Sequence, residues 1–187
     1  FGAETGIGVA IINHPARADA SNQFRIGVVG LGAGTLAAYA NTHINPEGST
    51  DSYVTIRDVG AEDYLRFYEL NPLVVQWARE HFTFLQDASD RGSDVDVIEG
   101  DARIVLERQI RQGDGQRFDV LAIDAFSSDA VPIHLLTLES IQIYLEHLNK
   151  GGILALHVTN RYVDLIPIVA RLAEAVEMEA IYIDNHS

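Results

Sequence analysis

Arg25-Ile26-Gly27-Val28-Val29-Gly30-Leu31-Gly32-Ala33-Gly34-Thr35 runs from a short apolar segment into a glycine-rich turn. An apolar run of this length that ends in glycine reads as a buried β-strand. Thr35-Leu36-Ala37-Ala38-Tyr39-Ala40 follows and reads as a helix. The same alternation continues to the end of the chain. Tyr64 to Leu70 reads as a strand, and Asn71-Pro72 opens a helix through Val74, Val75, Trp77, Ala78 and Phe82, with the asparagine as cap and the proline in the first turn. Trp77 and Phe82 follow helical spacing and are expected in the core. Val95 to Ile98 is a strand and Ala102 to Arg111 a helix; Phe118 to Asp124 is a strand and Leu136 to Leu148 a helix that Gly151-Gly152 stops. Ile153 to Val158 is a strand, Leu165 to Val176 a helix, and Ala180-Ile181-Tyr182-Ile183 a last strand. Near-continuous apolar strands between amphipathic helices predict an α/β fold, Rossmann-like, with a mainly parallel sheet covered on both faces. The expected strand order is 3-2-1-4-5-6.

Two stretches interrupt the rhythm. Residues 1–24 read as a lead-in segment with a short strand at Gly8-Val9-Ala10-Ile11-Ile12. Residues 25–187 then form the nucleotide-binding domain, with a polar insertion at about 41–62 that holds Tyr53-Val54-Thr55-Ile56 as an extra strand. No internal repeat or low-complexity tract is visible.

Bulk properties narrow the function classes. A chain of 187 residues suits one domain with a real core. Its 47% hydrophobic residues describe a folded globular protein rather than a disordered one. No apolar run approaches the roughly 18 to 20 residues of a spanning helix, so direct membrane insertion is not expected. The chain begins with Phe1 rather than methionine and shows no basic region ahead of an apolar stretch, which reads as an excised domain without a signal peptide. The expected location is cytoplasmic, with the soluble domain of a membrane-fused protein as the variant reading. With no cysteine, disulfides, thiolate zinc sites and cysteine nucleophiles are excluded. The net charge of −14, from 13 basic and 27 acidic residues, repels phosphate backbones and argues against nucleic acid as a partner. The same field attracts a cationic substrate, although acidic surfaces also serve solubility alone.

In an open α/β sheet, ligands bind outside the carboxyl ends of the strands, and four features fall at such ends. In the first, Gly30, Gly32 and Gly34 let backbone approach a ligand and expose amides at a helix start. Their G-x-G-x-G spacing differs from the dinucleotide G-x-G-x-x-G and favours an adenosyl sulfonium ligand over NAD. The second is Glu69, which can accept both hydroxyls of a ribose or stand solvated at the surface. The third is Gly100-Asp101-Ala102: Asp101 can cap the following helix, accept from an adenine amino group, or do both. The fourth is Asp124, with Asp129 five residues on; a carboxylate here can hold an ammonium substrate or take its proton. The histidines at 14, 43, 81, 134, 147, 157 and 186 lie too far apart in the chain to suggest a metal set, and no metal is expected. Neither a Gly-x-Ser-x-Gly elbow nor a Walker A pattern occurs.

Together these features resemble the polyamine synthases, the spermidine-synthase-like aminopropyltransferases within the class I S-adenosylmethionine-dependent methyltransferase fold. The resembling residues are Val29 to Tyr39, Phe67-Tyr68-Glu69-Leu70-Asn71-Pro72, Gly100-Asp101-Ala102-Arg103, and Ile123-Asp124-Ala125-Phe126-Ser127-Ser128-Asp129-Ala130-Val131-Pro132-Ile133-His134-Leu135-Leu136-Thr137. His157-Val158-Thr159-Asn160-Arg161-Tyr162 adds a further match. The resemblance implies that the glycine loop holds the methionine-derived part of the cofactor, Glu69 its ribose, and Asp101 and Ala102 lie at its adenine, with Asn71 a further cofactor-binding residue. It implies Asp124 as the base that deprotonates the attacking amine, with Asp129 and Tyr162 at the substrate. In the known aminopropyltransferases the Asp124 motif is a compact Asp-Ser-Ser-Asp-Pro. Here Ala125-Phe126 separate Asp124 from Ser127, and Ala130-Val131 precede Pro132. The family's β-rich N-terminal segment is represented at most by residues 1–12, and the fold's seventh strand is not expected.

The expected activity is therefore aminopropyl transfer from decarboxylated S-adenosylmethionine to an amine such as putrescine. The alternatives are a small-molecule methyltransferase using intact S-adenosylmethionine, and a non-catalytic nucleoside-binding domain. A homodimer stands as an option for its assembly.

Overall fold

The computed structural model describes residues 2–19, 21–41, 62–125, 132–158 and 164–184. Five parallel strands form one sheet in the order β3-β2-β1-β4-β5. They are β1 (Arg25–Val29), β2 (Tyr64–Glu69), β3 (Asp94–Glu99), β4 (Phe118–Ile123) and β5 (Leu148–Leu156). Strand β1 pairs with β2 and β4, so the glycine turn leaves the middle of the sheet. The chain has the α/β fold and the order expected for its first five strands.

Strand alternation divides the core between two faces. Ile26 and Val28 of β1, Leu65 and Phe67 of β2, and Val120 and Ala122 of β4 face one layer. That layer is covered by Ile7 and Ile11 of α1 (Gly6–Ile12), Val75 and Ala78 of α2 (Pro72–His81), and Leu85 and Ala88 of α3 (Phe84–Asp90). Val29, Tyr64, Tyr68, Leu121 and Ile123 face the other. Covering it are Val105 and Leu106 of α4 (Ala102–Arg111), Ile141 and Tyr144 of α5 (Leu138–Glu146), and Leu172 next to the end of α6 (Ile166–Ala175). Burial pushes the Tyr68 phenol well above its ordinary pKa, so it stays neutral and donates to Gln109 Oε1 at 3.1 Å.

Several local expectations are corrected. Gly8 to Ile12 is not a strand but lies in α1. Thr5 caps that helix, accepting from the Gly8 amide, and Ile7 and Ile11 bury on one face at the i, i+4 spacing. The helix expected at Thr35 is a 3₁₀ turn, Thr35–Tyr39. Helix α3 has no counterpart in the sequence reading. Gly151-Gly152 does not stop a helix: α5 ends at Glu146, and both glycines lie inside β5. A Cβ on Gly152 would stand 2.9 Å from the Phe118 carbonyl, so glycine is needed where β5 crosses the irregular start of β4. Ala180 to Ile183 forms no strand, and Ile181 is 80% exposed. Trp77 and Phe82, expected in the core, are 60% and 45% exposed on the outer side of α2. The extra strand expected at 53–56 lies outside the described residues.

The N-terminal segment is docked by polar contacts as well as by α1. Arg17 donates to the Ile11 carbonyl at 2.7 Å, to Asp63 Oδ2 at 3.0 Å and to the Tyr39 carbonyl at 3.1 Å. His14 accepts the Ala16 amide on Nδ1, so its Nε2 carries the hydrogen and donates to the Gly151 carbonyl at 3.2 Å. Among the described residues, no helix is long and apolar enough to cross a membrane.

Candidate active site at the carboxyl ends of the strands

Backbone hydrogen bonds carry the sheet's ladders one residue past the strand ends and so fix the site. The Gly30 amide donates to the Tyr68 carbonyl, the Asp124 amide to that of Val29, the Gly100 amide to that of Glu69, and the His157 amide to that of Ile123. Four of the expected features, with His157 added, therefore share one edge of the sheet.

The three glycines of the loop serve different needs. Gly30 has φ of 96°, and a Cβ there would lie 2.7 Å from the Asp124 carbonyl oxygen, so side-chain-free backbone lets the ends of β1 and β4 meet. Gly34 is the left-handed cap of the 3₁₀ turn. Among the described residues, no atom beyond the chain neighbours lies within 4 Å of a would-be Cβ on Gly32, so they leave space over the middle of the loop.

Glu69 is half-buried and holds this loop. Its Oε2 accepts the Leu31 amide at 3.0 Å and its Oε1 the Asn71 amide at 2.8 Å. Each carboxylate oxygen has a second acceptor site left for a hydroxyl. Asn71 spends its side-chain oxygen on the Leu73 amide and acts as the cap of α2. Asp101 likewise caps α4 through the Ile104 amide at 3.1 Å, and its Oδ2 lies 3.3 Å from His134 Nε2. The capping role expected for Asp101 is present, and Ala102 is buried in the core layer beside it.

Asp124 ends β4 with its side chain 16% exposed, and its Oδ1 lies 2.8 Å from His157 Nδ1. The sequence alone does not announce this Asp–His pair, the approach of His134 to Asp101, or the Glu69 bonds to the Leu31 and Asn71 amides. Asp129 and Tyr162 lie outside the described residues. Among the described residues no group of three or more histidines and carboxylates is arranged to hold a metal ion. A wide groove of about 600 Å³ between Arg117, Glu146 and Lys150 lies at the amino ends of β4 and β5, the end that open α/β sheets do not use for ligands.

The site is thus an anionic edge. Glu69, Asp101 and Asp124 contribute carboxylates against one nearby cation, Arg103 after Ala102; the segments Gly30 to Gly34, Glu69 to Asn71, Asp124-Ala125 and His157-Val158 contain no lysine or arginine. It can accept hydroxyls at Glu69, receive backbone-close ligand atoms at Gly32, and attract a cation at Asp124.

No family model matches the chain. A polyamine aminopropyltransferase from Vibrio vulnificus is 28% identical over 130 residues, which cover 70% of this chain and 36% of that protein. The chain thus spans about a third of the length of this curated relative. A spermidine synthase from Thermotoga maritima superposes with a TM-score of 0.57 at 18% identity, over 90% of this chain and 48% of that one. A spermidine synthase solved with the transition state analogue AdoDATO gives 0.61 at 18% identity, over 92% and 50%. A probable spermidine synthase from Corynebacterium glutamicum gives 0.55 at 23% identity, over 90% and 53%. In fold the chain is similar to spermidine synthases, and in sequence to a polyamine aminopropyltransferase.

Proposed function

We propose that this site transfers an aminopropyl group from decarboxylated S-adenosylmethionine to a polyamine acceptor such as putrescine. The observation that carries the reading is the position of Asp124. Asp124 follows β4 where that strand meets the glycine turn, its carbonyl 2.7 Å from a would-be Cβ on Gly30 and its side chain 16% exposed. The sequence similarity to an aminopropyltransferase supports the same reaction class over methyl transfer.

The residues present suit the cosubstrate. The Leu31-to-Asn71 frame turns Glu69 toward the loop and leaves acceptor capacity for ribose hydroxyls. Decarboxylated S-adenosylmethionine supplies an electrophilic carbon beside a sulfonium, with methylthioadenosine as the leaving group. It carries a sulfonium and an ammonium but no carboxylate, which suits an edge of three carboxylates better than the intact cofactor does. Glu69, Gly32 and the α4 end at Asp101 and Ala102 are the proposed cosubstrate contacts, with Gly30 and Gly34 shaping the loop and Asn71 supporting Glu69. Asp129 and Tyr162 remain proposed amine contacts.

Asp124 does the chemistry that the chain itself must supply. An alkylammonium with a pKa near 10 has no lone pair for attack until it loses a proton. The Asp124 carboxylate holds the ammonium by charge and accepts that proton as the nitrogen attacks. The deciding measurement is mass-spectrometric detection of methylthioadenosine after incubation with decarboxylated S-adenosylmethionine and putrescine. Release only in the presence of amine is expected. Calorimetry with the two cofactor forms adds a second arm, and tighter binding of the carboxylated form would sink the reading.

A further inference from the structure

His157 stands beside Asp124 for a topological reason. Strands β4 and β5 run parallel with Ile123 opposite Leu156, so the next residue of each is a neighbour just past the last paired rung. The His157 amide then donates to the Ile123 carbonyl at 3.0 Å, which fixes its backbone against β4. Its ring lies with Nδ1 at 2.8 Å from Asp124 Oδ1, and the two side chains are 30% and 16% exposed. An ionised carboxylate only accepts hydrogen bonds, so Nδ1 must carry the hydrogen and donate it. That contact places a hydrogen on Nδ1 and engages Oδ1, one of the two carboxylate oxygens, while Oδ2 keeps its full acceptor capacity.

We propose that His157 is a positioning residue for Asp124: by holding Oδ1, it makes Oδ2 the atom that takes the proton of the attacking amine. This inference rests on the aminopropyl-transfer reading. In the step it governs, the ammonium N–H bond breaks, its electron pair stays on nitrogen, and a new O–H bond forms at Oδ2. Asp124 becomes a neutral acid and later gives the proton to solvent. The imidazole keeps its own hydrogen throughout. A carboxylate free to rotate would present either oxygen at a range of angles, and displacement of a reacting group by about 1 Å can cost on the order of 100-fold in rate.

Two variants test this. His157→Asn places an amide N–H where Nδ1 now donates, and His157→Leu removes the donor while keeping bulk. With methylthioadenosine release as the assay, His157→Leu is expected to lose about 100-fold in kcat with little change in KM for putrescine. His157→Asn should recover most of that loss. Nitrogen-15 NMR of the imidazole should show hydrogen on Nδ1 in the native chain and its loss in Asp124→Ala. An active native chain with an unimpaired leucine variant overturns the role, as does equal loss in both variants or a native ring protonated only on Nε2. A native chain inactive with every amine overturns the reaction reading instead, and the ring spectrum then still decides whether Asp124 holds His157.

Discussion

Asn41 and Asp63 hold each other across the base of the segment between them. The Asn41 amide donates to Asp63 Oδ2 at 2.8 Å, and the Asp63 amide donates to Asn41 Oδ1 at 2.9 Å. Arg17 reaches the same Oδ2, with side-chain exposures of 6% and 0% for the arginine and aspartate. Three distant pieces of chain are thereby tied together: the segment after α1, the end of the 3₁₀ turn, and the start of β2. Removing only the cation leaves a buried carboxylate, a change that costs about 3–5 kcal/mol. Arg17→Met is therefore expected to lower the urea midpoint strongly, and Arg17→Met combined with Asp63→Asn to regain part of the loss. A double variant less stable than Arg17→Met alone would contradict this.

Asp124→Asn should abolish turnover by at least about 100-fold, the scale of a general base, while sparing cosubstrate binding. The new amide still presents an oxygen to His157, so the fold around β4 and β5 should persist. Calorimetry checks binding and methylthioadenosine release checks turnover. Full activity would remove Asp124 from the mechanism.

What was legible in the sequence follows a physical divide. Strands β1 to β4 and helices α2 and α4 announce themselves because their signals are local: an apolar run, an Asn-Pro or Asp cap, a glycine with positive φ. Gly8 to Ile12 has the apolar composition of a strand, but Thr5 supplies a helix cap and Ile7 and Ile11 bury one helical face. Ala180 to Ile183 has strand composition, but a strand exists only where a neighbour pairs with it, which composition does not encode. Gly151-Gly152 looks like punctuation until the Phe118 carbonyl is seen against it. The Asp124–His157 pair spans 33 residues. It was recoverable only by setting the ends of adjacent strands side by side, once the order β4-β5 was assumed. Glu69 was found by its strand-end position, but its grip on the Leu31 amide depends on the loop's path.

Glu69→Gln tests that grip. Both carboxylate oxygens accept backbone amides, and an amide side chain would turn an NH₂ toward one of these N–H donors. Leaving a donor unsatisfied costs about 1–3 kcal/mol. Under the proposed function this should weaken methylthioadenosine binding by roughly tenfold or more, at about 1.4 kcal/mol per factor of ten. Isothermal calorimetry reads the change, and unchanged affinity would show that Glu69 neither shapes the loop nor meets the ligand.

His147 supplies a pH dependence of stability. The Gln116 amide donates to its Nδ1 at 3.1 Å, so Nε2 carries the hydrogen and donates to the Leu106 carbonyl at 3.0 Å. Burial holds the imidazole below its ordinary pKa, outweighing the Leu106 bond that acts the other way. Below an unfolded-state value of about 6.5, the unfolded chain binds a proton that the native ring resists. Stability is thus retained above that pH and lost as pH falls toward the native value. Thermal melts at pH 7.5 and 5.5 should show a larger drop for the native chain than for His147→Gln, the carboxylates contributing equally to both. A steeper drop in the variant would reverse the assignment.

The same methyl group should cost stability far more at Gly30 than at Gly32. Both have positive φ, 96° and 53°, but only the second lies in the left-handed region that alanine enters at about 1–2 kcal/mol. At Gly30 the new Cβ would also press to 2.7 Å on the Asp124 carbonyl, where β1 and β4 are hydrogen-bonded and cannot spread without breaking the ladder. Gly30→Ala should therefore unfold the domain or lower its melting temperature sharply. At Gly32 the methyl meets no atom of the described residues within 4 Å, so Gly32→Ala should fold with a modest loss of stability. If this open space belongs to the cosubstrate, the same variant should bind methylthioadenosine much more weakly, because the methyl occupies the ligand's position. A folded Gly32→Ala chain that binds as tightly as the native one would place the ligand elsewhere along the sheet edge.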